Sequence, residues 1–350
     1  MMRLSFFLLG LFIANSILAN SLELDAATKQ RIKQSAISFF EQEDIIEITV
    51  EADFSSLKED RDRTKNDYHP AKVIVKDGSD DIAVLASIKT RGNFRLKSEN
   101  CDFPPLRFKF KTRNVINTPF EGQKKLKLVT HCRDTSETMQ QTMLREYLVY
   151  KMYNEVSDKS LRVRLVKANY VDVTCGDVLT KYAFFVESVE QMAERVGLEE
   201  VEMANLKQSQ LVEENIVSLA LFNYMIGNTD WSVPKLHNVA LFRSDRHAPP
   251  VAVPYDFDMS EFVDACYMHV YMGRELLENR YKGKKVPMET LSSAMAHYQD
   301  IKEELVNTIL SFEPLDLNAR QECIKIVDSF YQVVNDRQAS RKAFIAEATK

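Results

Sequence analysis

Four oxygen-bearing side chains stand in a suggestive order near the end of the second third of the chain: Asp230, Asn238, Asp256 and Asp258. Carboxylates and an amide oxygen are hard ligands. They suit Mg²⁺ or Mn²⁺, and Mg²⁺ is typically bound through one or two carboxylates plus the phosphates of a substrate. Phosphoryl transfer needs one carboxylate to orient the attacking hydroxyl, with an Asn and a second Asp to hold the metal. In that chemistry Asp230 is the catalytic residue, and Asn238, Asp256 and Asp258 are the metal ligands. A plainer reading exists for each alone, because Asp-x-Asp is common in solvated turns and Asn at a strand start bonds locally. What distinguishes this set is its order along the chain.

The elements around these residues have legible causes. Residues 210–226 (QLVEENIVSLALFNYMI) are apolar almost all round, as a buried helix should be. Gly227-Asn228 stops that helix, since both residues tolerate the left-handed C-cap conformation. Asp230 therefore falls on the loop beyond. Asn238 opens a short apolar strand over 239–242, and a proline-containing turn leads to a second strand, 251–255, that ends at Asp256. Upstream, alternation predicts strands at 45–52, 72–76, 82–91, 106–111, 124–129, 162–172 and 181–187. Asp134 and Glu137 open a helix running to about residue 152, and Ser188 with Gln191 opens another. A lead-in helix is expected within residues 20–44.

The stretch 89–113 carries Lys89, Arg91, Arg95, Lys97, Arg107, Lys109, Lys111 and Arg113 against Glu99 and Asp102. On alternating strands half of these share a face. Such a face either binds a phosphate-rich ligand or is simply solvated. The nucleotide-binding set drawn from this region and its neighbours is Arg91, Lys109, Lys125, Lys127, Glu146 and Glu187. Glu146, beside the apolar stripe of its helix, is placed to pair with one of the lysines. Glu187 ends a strand where a nucleotide base would lie, or is an ordinary helix N-terminal carboxylate. No glycine-rich phosphate loop is present. His131 and His237 read as loop-ordering hydrogen bonders.

The order GNTDW…HN…PYDFD over residues 227–258 resembles the C-terminal signature of the spore-coat CotH kinase-like family. TRGNF (90–94), LRFKFK (106–111), FEGQKKLKL (120–128) and YAFFVE (182–187) resemble that family's earlier landmarks in the same order, over roughly residues 45–265. FRLK after RGN and CGD before YAFFVE mark a divergent member. The resemblance, together with the order of elements, implies an α+β, protein-kinase-like two-lobed fold. It would have a β-rich N-lobe at 45–187 and a mostly helical C-lobe at 188–350 holding the metal and catalytic loop. It implies ATP with Mg²⁺ or Mn²⁺ as cofactors, and a protein or glycan acceptor.

The first nineteen residues combine one Arg with an apolar stretch and small residues near Ala19, which predicts a secretory signal peptide and an extracytoplasmic protein, periplasmic or secreted. No other segment is apolar and long enough to span a bilayer. A net charge of −5 argues against nucleic acid as a general partner. The five cysteines have no C-x-x-C spacing, so zinc is not expected, while one or two disulfides are possible. Three functions fit: an exported atypical kinase, a kinase-shaped pseudo-enzyme acting as an envelope or surface binding module, and a metal-dependent phosphohydrolase.

Overall fold

The computed structural model describes residues 25–62, 64–268 and 281–346. The segment expected to be a signal peptide lies outside the described residues. Seven strands, β1 (Ile46–Ala52), β2 (His69–Asp77), β3 (Asp80–Thr90), β4 (Leu106–Phe110), β5 (Lys125–Val129), β6 (Val163–Asp172) and β7 (Val178–Val186), follow one another with helices interposed. They close into a barrel in the order β1-β2-β3-β4-β5-β7-β6. Every neighbouring pair is antiparallel except β1 with β6, whose parallel register runs from Ile46 opposite Val166 to Ala52 opposite Asp172. The period-two pattern sets which side chains turn inward. In β1, Ile46, Ile48, Val50 and Ala52 are buried while the residues between them face outward. Phe108, Phe120 and Phe185 fill the interior with Val73, Val75 and Ile88.

This closure corrects the two-lobed, protein-kinase-like fold expected from the sequence. Alternation predicts that strands exist and which faces are apolar, but it carries no signal for whether the first and last strands meet. Here β1 meets β6, and the sheet has no open edge. Beyond Ser188 the chain is mostly helical, with strands where 239–242 and 251–255 were expected. A three-stranded sheet, β8 (Glu199–Glu200), β9 (Val239–Arg243) and β10 (Val251–Pro254), follows the barrel.

Outside the barrel, α4 (Glu137–Val156) connects β5 to β6 and packs against β6 and β7. It opens with Ser136 accepting from the Met139 N–H, the cap that satisfies a free helix-end donor. Its other side joins a second apolar cluster with α6 (Glu213–Met225) and the helices Met288–Asp300, Lys302–Leu310 and Leu317–Asn335. The near-continuous apolar sequence of α6 is explained there, since nine of its residues are buried. Between α4's partners and the barrel runs the loop from β3 to β4, residues 91–105. It is fastened at one end by the Cys101–Cys132 disulfide. The Arg61 guanidinium also holds it, donating to the carbonyls of Leu96, Cys101 and Asp102 at 2.9, 2.8 and 2.7 Å. Among the described residues no helix is long and apolar enough to cross a membrane.

Candidate functional site

A cavity of about 490 Å³ opens where the 91–105 loop, α4, and the loops flanking β9 and β10 meet. Asp230, Asn238, Asp256, Asp258, Arg91 and Glu146 all line it, as do Lys89, Arg95 and Arg107.

The Asp230 loop is built by short-range bonds. After α6, Gly227 takes a left-handed φ of 64°, which ends the helix. Asn228 then donates its side-chain amide to Asn223 (2.8 Å) and accepts from the Asp230 N–H (2.9 Å). Lys282 reaches across to donate to the carbonyls of Thr229 and Trp231 at 2.7 and 2.9 Å. Ser232 and His237 exchange backbone bonds, folding Asn238 back on Asp230. Asn238 Nδ2 donates to the Asp230 carbonyl (2.7 Å) and to Oδ2 (3.1 Å), while His237 Nε2 lies 2.8 Å from Oδ1. Leu236, Asn238 and Asp256 have φ of 48°, 53° and 60°. For Asn and Asp that region is tolerated, but for Leu it is strained backbone at the edge of the site.

The second half of the site hangs on β10. The Tyr255 N–H donates to the Asn238 carbonyl (3.0 Å), joining the two loops, and the Asp256 N–H donates to the Tyr150 hydroxyl (2.9 Å). Asp258 is buried. Its Oδ2 accepts from Arg95 Nε (3.0 Å) and the Tyr267 hydroxyl (2.9 Å), and lies 2.9 Å from Arg95 Nη2. Arg95 also donates to Glu146 Oε2 at 2.5 Å. A guanidinium thus sits midway between two buried carboxylates. Burial works against its charge, yet Glu146, Tyr267 and Asp258 together hold its pKa well above the ordinary value. Burial pushes Glu146 up to about 7 despite Arg95, and Asp258 and Asp256 add to the rise.

Asp256 differs from its neighbours. Its carboxylate opens to solvent in the cavity and takes no hydrogen bond among the described residues, yet protein surrounds it closely. Desolvation raises its pKa first and the Asp258 charge second, against the pull of Arg95 and Arg91. Opposite it are cations without partners. The side chains of Arg91, Arg107 and Lys127 make no hydrogen bond or ion pair among the described residues. Burial first, and then the charges of Arg91 and Arg107, lower Lys127 to about 8.

The other sequence candidates fall elsewhere. Lys109 and Lys125 are exposed, two residue pairs beyond Arg107 and Lys127 on β4 and β5 and outside the cavity lining. Glu187 is also outside it. It is buried and clamped by Arg195 (3.0 and 2.9 Å) and the Arg162 N–H (3.0 Å). The lysine expected to pair with Glu146 is instead Arg95, because the strand lysines project from the barrel's outer face while Arg95 comes in from the loop. Sequence reasoning counted Arg95 and Arg107 only within a basic run and passed over Tyr267. The available signal was the second Arg in RGNFR, four residues after Arg91 and separated from it by a turn. His131 lies away from this cavity, buried beside Asp134 (2.8 Å).

The donor set can be tested for a divalent cation. Among the described residues nothing donates to Asn238 Oδ1, Asp258 Oδ1 or the Asp256 carboxylate, and the mutual repulsion of Asp256, Asp258 and Asp230 would be relieved by a cation. The residues therefore fit Mg²⁺ held partly by ligand phosphates. They do not form an all-protein cage: among the described residues no group of three or more His, Cys, Asp or Glu is spaced to hold an ion.

No protein-family model matches the chain, and no curated protein matches it. The resemblance to the spore-coat family accordingly has no family match behind it. Among solved structures the chain is similar to one described as the crystal structure of the golgi casein kinase. The two are 7% identical over 92% of this chain and 81% of that one, with a TM-score of 0.33. So low a score makes this a weak structural likeness, from which no chemistry is drawn.

Proposed function

We propose that the cavity receives the phosphates of a Mg²⁺- or Mn²⁺-bound nucleotide such as ATP, and that the protein transfers a phosphoryl group to a hydroxyl of a protein or glycan. One observation carries this reading. Unpartnered cations (Arg91, Arg107) and an unpartnered carboxylate (Asp256) line one cavity together with the Asp230–Asn238 pair, and Lys127 stands across the strands from Arg107. Charges left without partners in a concavity raise the free energy of the empty protein, and a ligand carrying both signs offsets that cost. A phosphate chain with its metal is such a ligand.

Arg91 and Arg107 would bind phosphate oxygens, Arg91 with the planar fork suited to them. Asp256 with Asn238, and Asp258 through its free oxygen, would hold the cation, which when bound supplies charge neutralisation along the phosphates. Asp230 would accept the hydrogen bond of the acceptor hydroxyl and orient it. His237 and Asn238 already engage both Asp230 oxygens, which fixes the carboxylate's direction and leaves it one lone pair per oxygen for that task.

The same engagement favours a second reading, a binding module without turnover, because both Asp230 oxygens are already held by neighbouring side chains. Incubating the protein with labelled ATP and Mg²⁺ or Mn²⁺ separates the readings. Label moving to a protein or glycan supports transfer. Phosphate release alone points to a hydrolase, and stabilisation by nucleotide with neither product points to the binding module. Absence of nucleotide binding in the unmodified protein sinks all three.

A further inference from the structure

The cations at the cavity's edge belong to a longer charge pattern on the barrel, in which Lys89, Lys109 and Lys125 have no part in the nucleotide reading. Lys89 on β3 lies directly opposite Arg107 on β4, and Arg107 lies opposite Lys127 on β5. Two residue pairs along, Lys109 lies opposite Lys125. The intervening residues, Leu106, Phe108, Phe110, Leu126 and Leu128, are buried inward, so these five cations share the outer face. Like charges directly opposite in an antiparallel pair are destabilising. Here two such rows are stacked, with Glu190 on the first turn of the helix Val189–Val196 and Glu200 among the acids near them. The face is also open. Helix α4 packs against β6 and β7, while Lys109 and Lys125 stand exposed on β4 and β5.

We infer that this face docks an extended acidic polypeptide segment with carboxylates at alternate residues. As an acceptor-docking surface it rests on the phosphotransfer reading. Adjacent strands lie about 4.8 Å apart, and alternate residues of one strand about 6.7 Å apart. An extended peptide presents its own alternate side chains at that second spacing, so successive carboxylates meet successive cations of β4. Lys89 and Arg107 also line the cavity, which makes the two surfaces continuous and lets a hydroxyl on the docked segment reach Asp230. Single-stranded nucleic acid fits less well, because its sites interleave cations with free aromatic rings for base stacking. The ring at this face, Tyr68, is already flanked by the ammonium groups of Lys89 and Lys109 at 5.2 and 5.3 Å.

The test is fluorescence anisotropy with a labelled peptide alternating Glu and Ser, beside a Gln-and-Ser peptide and a labelled single-stranded oligonucleotide. The alternating acidic peptide should bind, and the Gln-and-Ser peptide should not. The double variant K109E/K125E should weaken acidic-peptide binding by about tenfold or more, since each reversal replaces an attraction with a repulsion. The control double K302E/K325E, on distant helices, should bind like the unmodified protein. Both positions are exposed, so K109E/K125E should stay folded, which its melting temperature checks. Equal losses in the two doubles, no binding by the unmodified protein, or an oligonucleotide binding as tightly as the peptide each overturn the proposal. Failure of the phosphotransfer reading looks different: the peptide binds, K109E/K125E weakens it, and no nucleotide binds the cavity.

Discussion

Two buried arginine–carboxylate clusters in this molecule solve the same electrostatic problem in opposite ways. At Glu187 the solution is complete. Arg195 meets both carboxylate oxygens, the Arg162 N–H takes another lone pair, and Arg195 also donates to the carbonyls of Asp158 and Ser160. One positive charge meets one negative, and each of the three guanidinium nitrogens has an acceptor. At Arg95 one guanidinium serves two carboxylates, with Asp256 close enough to raise the proton affinity of Glu146 further. Negative charge is in excess there, acceptor oxygens are left over, and unpartnered cations stand across the cavity. Buried charge by itself therefore does not mark a functional site. The mark is charge that the protein leaves unbalanced at a place a ligand can reach.

That contrast is broken most forcefully at its structural end. Glu187→Ala leaves Arg195 buried without its anion and should cost about 3–5 kcal/mol of stability. The urea midpoint should fall while nucleotide affinity, measured where the variant is still folded, stays unchanged. A change in affinity with little change in midpoint would put Glu187 back among the ligand-binding residues.

At the functional end the expected pattern reverses. Asp230→Asn should retain nucleotide binding and lower transfer by about a hundredfold, the range for loss of a positioned proton acceptor. Asp256→Asn should reduce Mg²⁺-nucleotide affinity by about tenfold or more, about 1.4 kcal/mol. Its melting temperature should hold or rise, because a desolvated carboxylate beside Asp258 is lost. If both variants bind nucleotide and turn over like the unmodified protein, Asp230 and Asp256 are turn residues and the contrast has no functional half.

The sequence made one side of this contrast easier to see than the other. Asp230, Asn238, Asp256 and Asp258 were legible because each follows a local signal: a glycine helix stop, a strand opening, a strand end. Their convergence on one cavity follows from the β9–β10 hairpin, which is also local. Glu187 and Glu146 could not be told apart, since both are single acids at element boundaries or faces. What separates them is the identity of a partner 8 residues away in one case and 51 in the other. Barrel closure was hidden for the same reason, because β1 and β6 pair across 120 residues of chain, as Arg164 reaching Asp44 beside that seam also does. Period-two alternation reports faces, whereas only long-range pairing decides edges.

A pH series sharpens the comparison at Glu146. Its pKa is raised in the folded state from the ordinary 4.5 to about 7, so between those values the folded protein holds a proton that the unfolded chain has released. The stability this contributes is fully present below pH 4.5 and is lost as pH rises through about 7. Relative to Glu146→Gln, which cannot titrate, the unmodified protein should lose stability across that window. Parallel curves for the two proteins would mean that Arg95 fully neutralises Glu146, making this cluster as complete as the one at Glu187.

The smallest effect belongs to Lys127, opposite the cavity-lining Arg107 on the neighbouring strand. Its folded pKa is lowered from 10.5 to about 8, by burial first and then by Arg91 and Arg107. Between pH 8 and 10.5 the unfolded chain keeps a proton that the folded protein has lost, so stability rises with pH across that interval. The gain is absent below about pH 8. An anion in the cavity reverses the pull, because its charge favours the protonated amine and binding should take up a proton near pH 8. Pyrophosphate affinity should therefore decline as pH passes through about 8, by a few-fold at most, since one partly exposed cation contributes under about 1 kcal/mol. Lys127→Arg keeps the charge and should flatten the profile at high affinity, while Lys127→Met should flatten it at low affinity. Calorimetric titration with pyrophosphate in buffers of different ionisation enthalpy reads both the affinity and the proton uptake. If neither changes through pH 8 in the unmodified protein, Lys127 does not face the ligand, and the anion site contracts to Arg91 and Arg107.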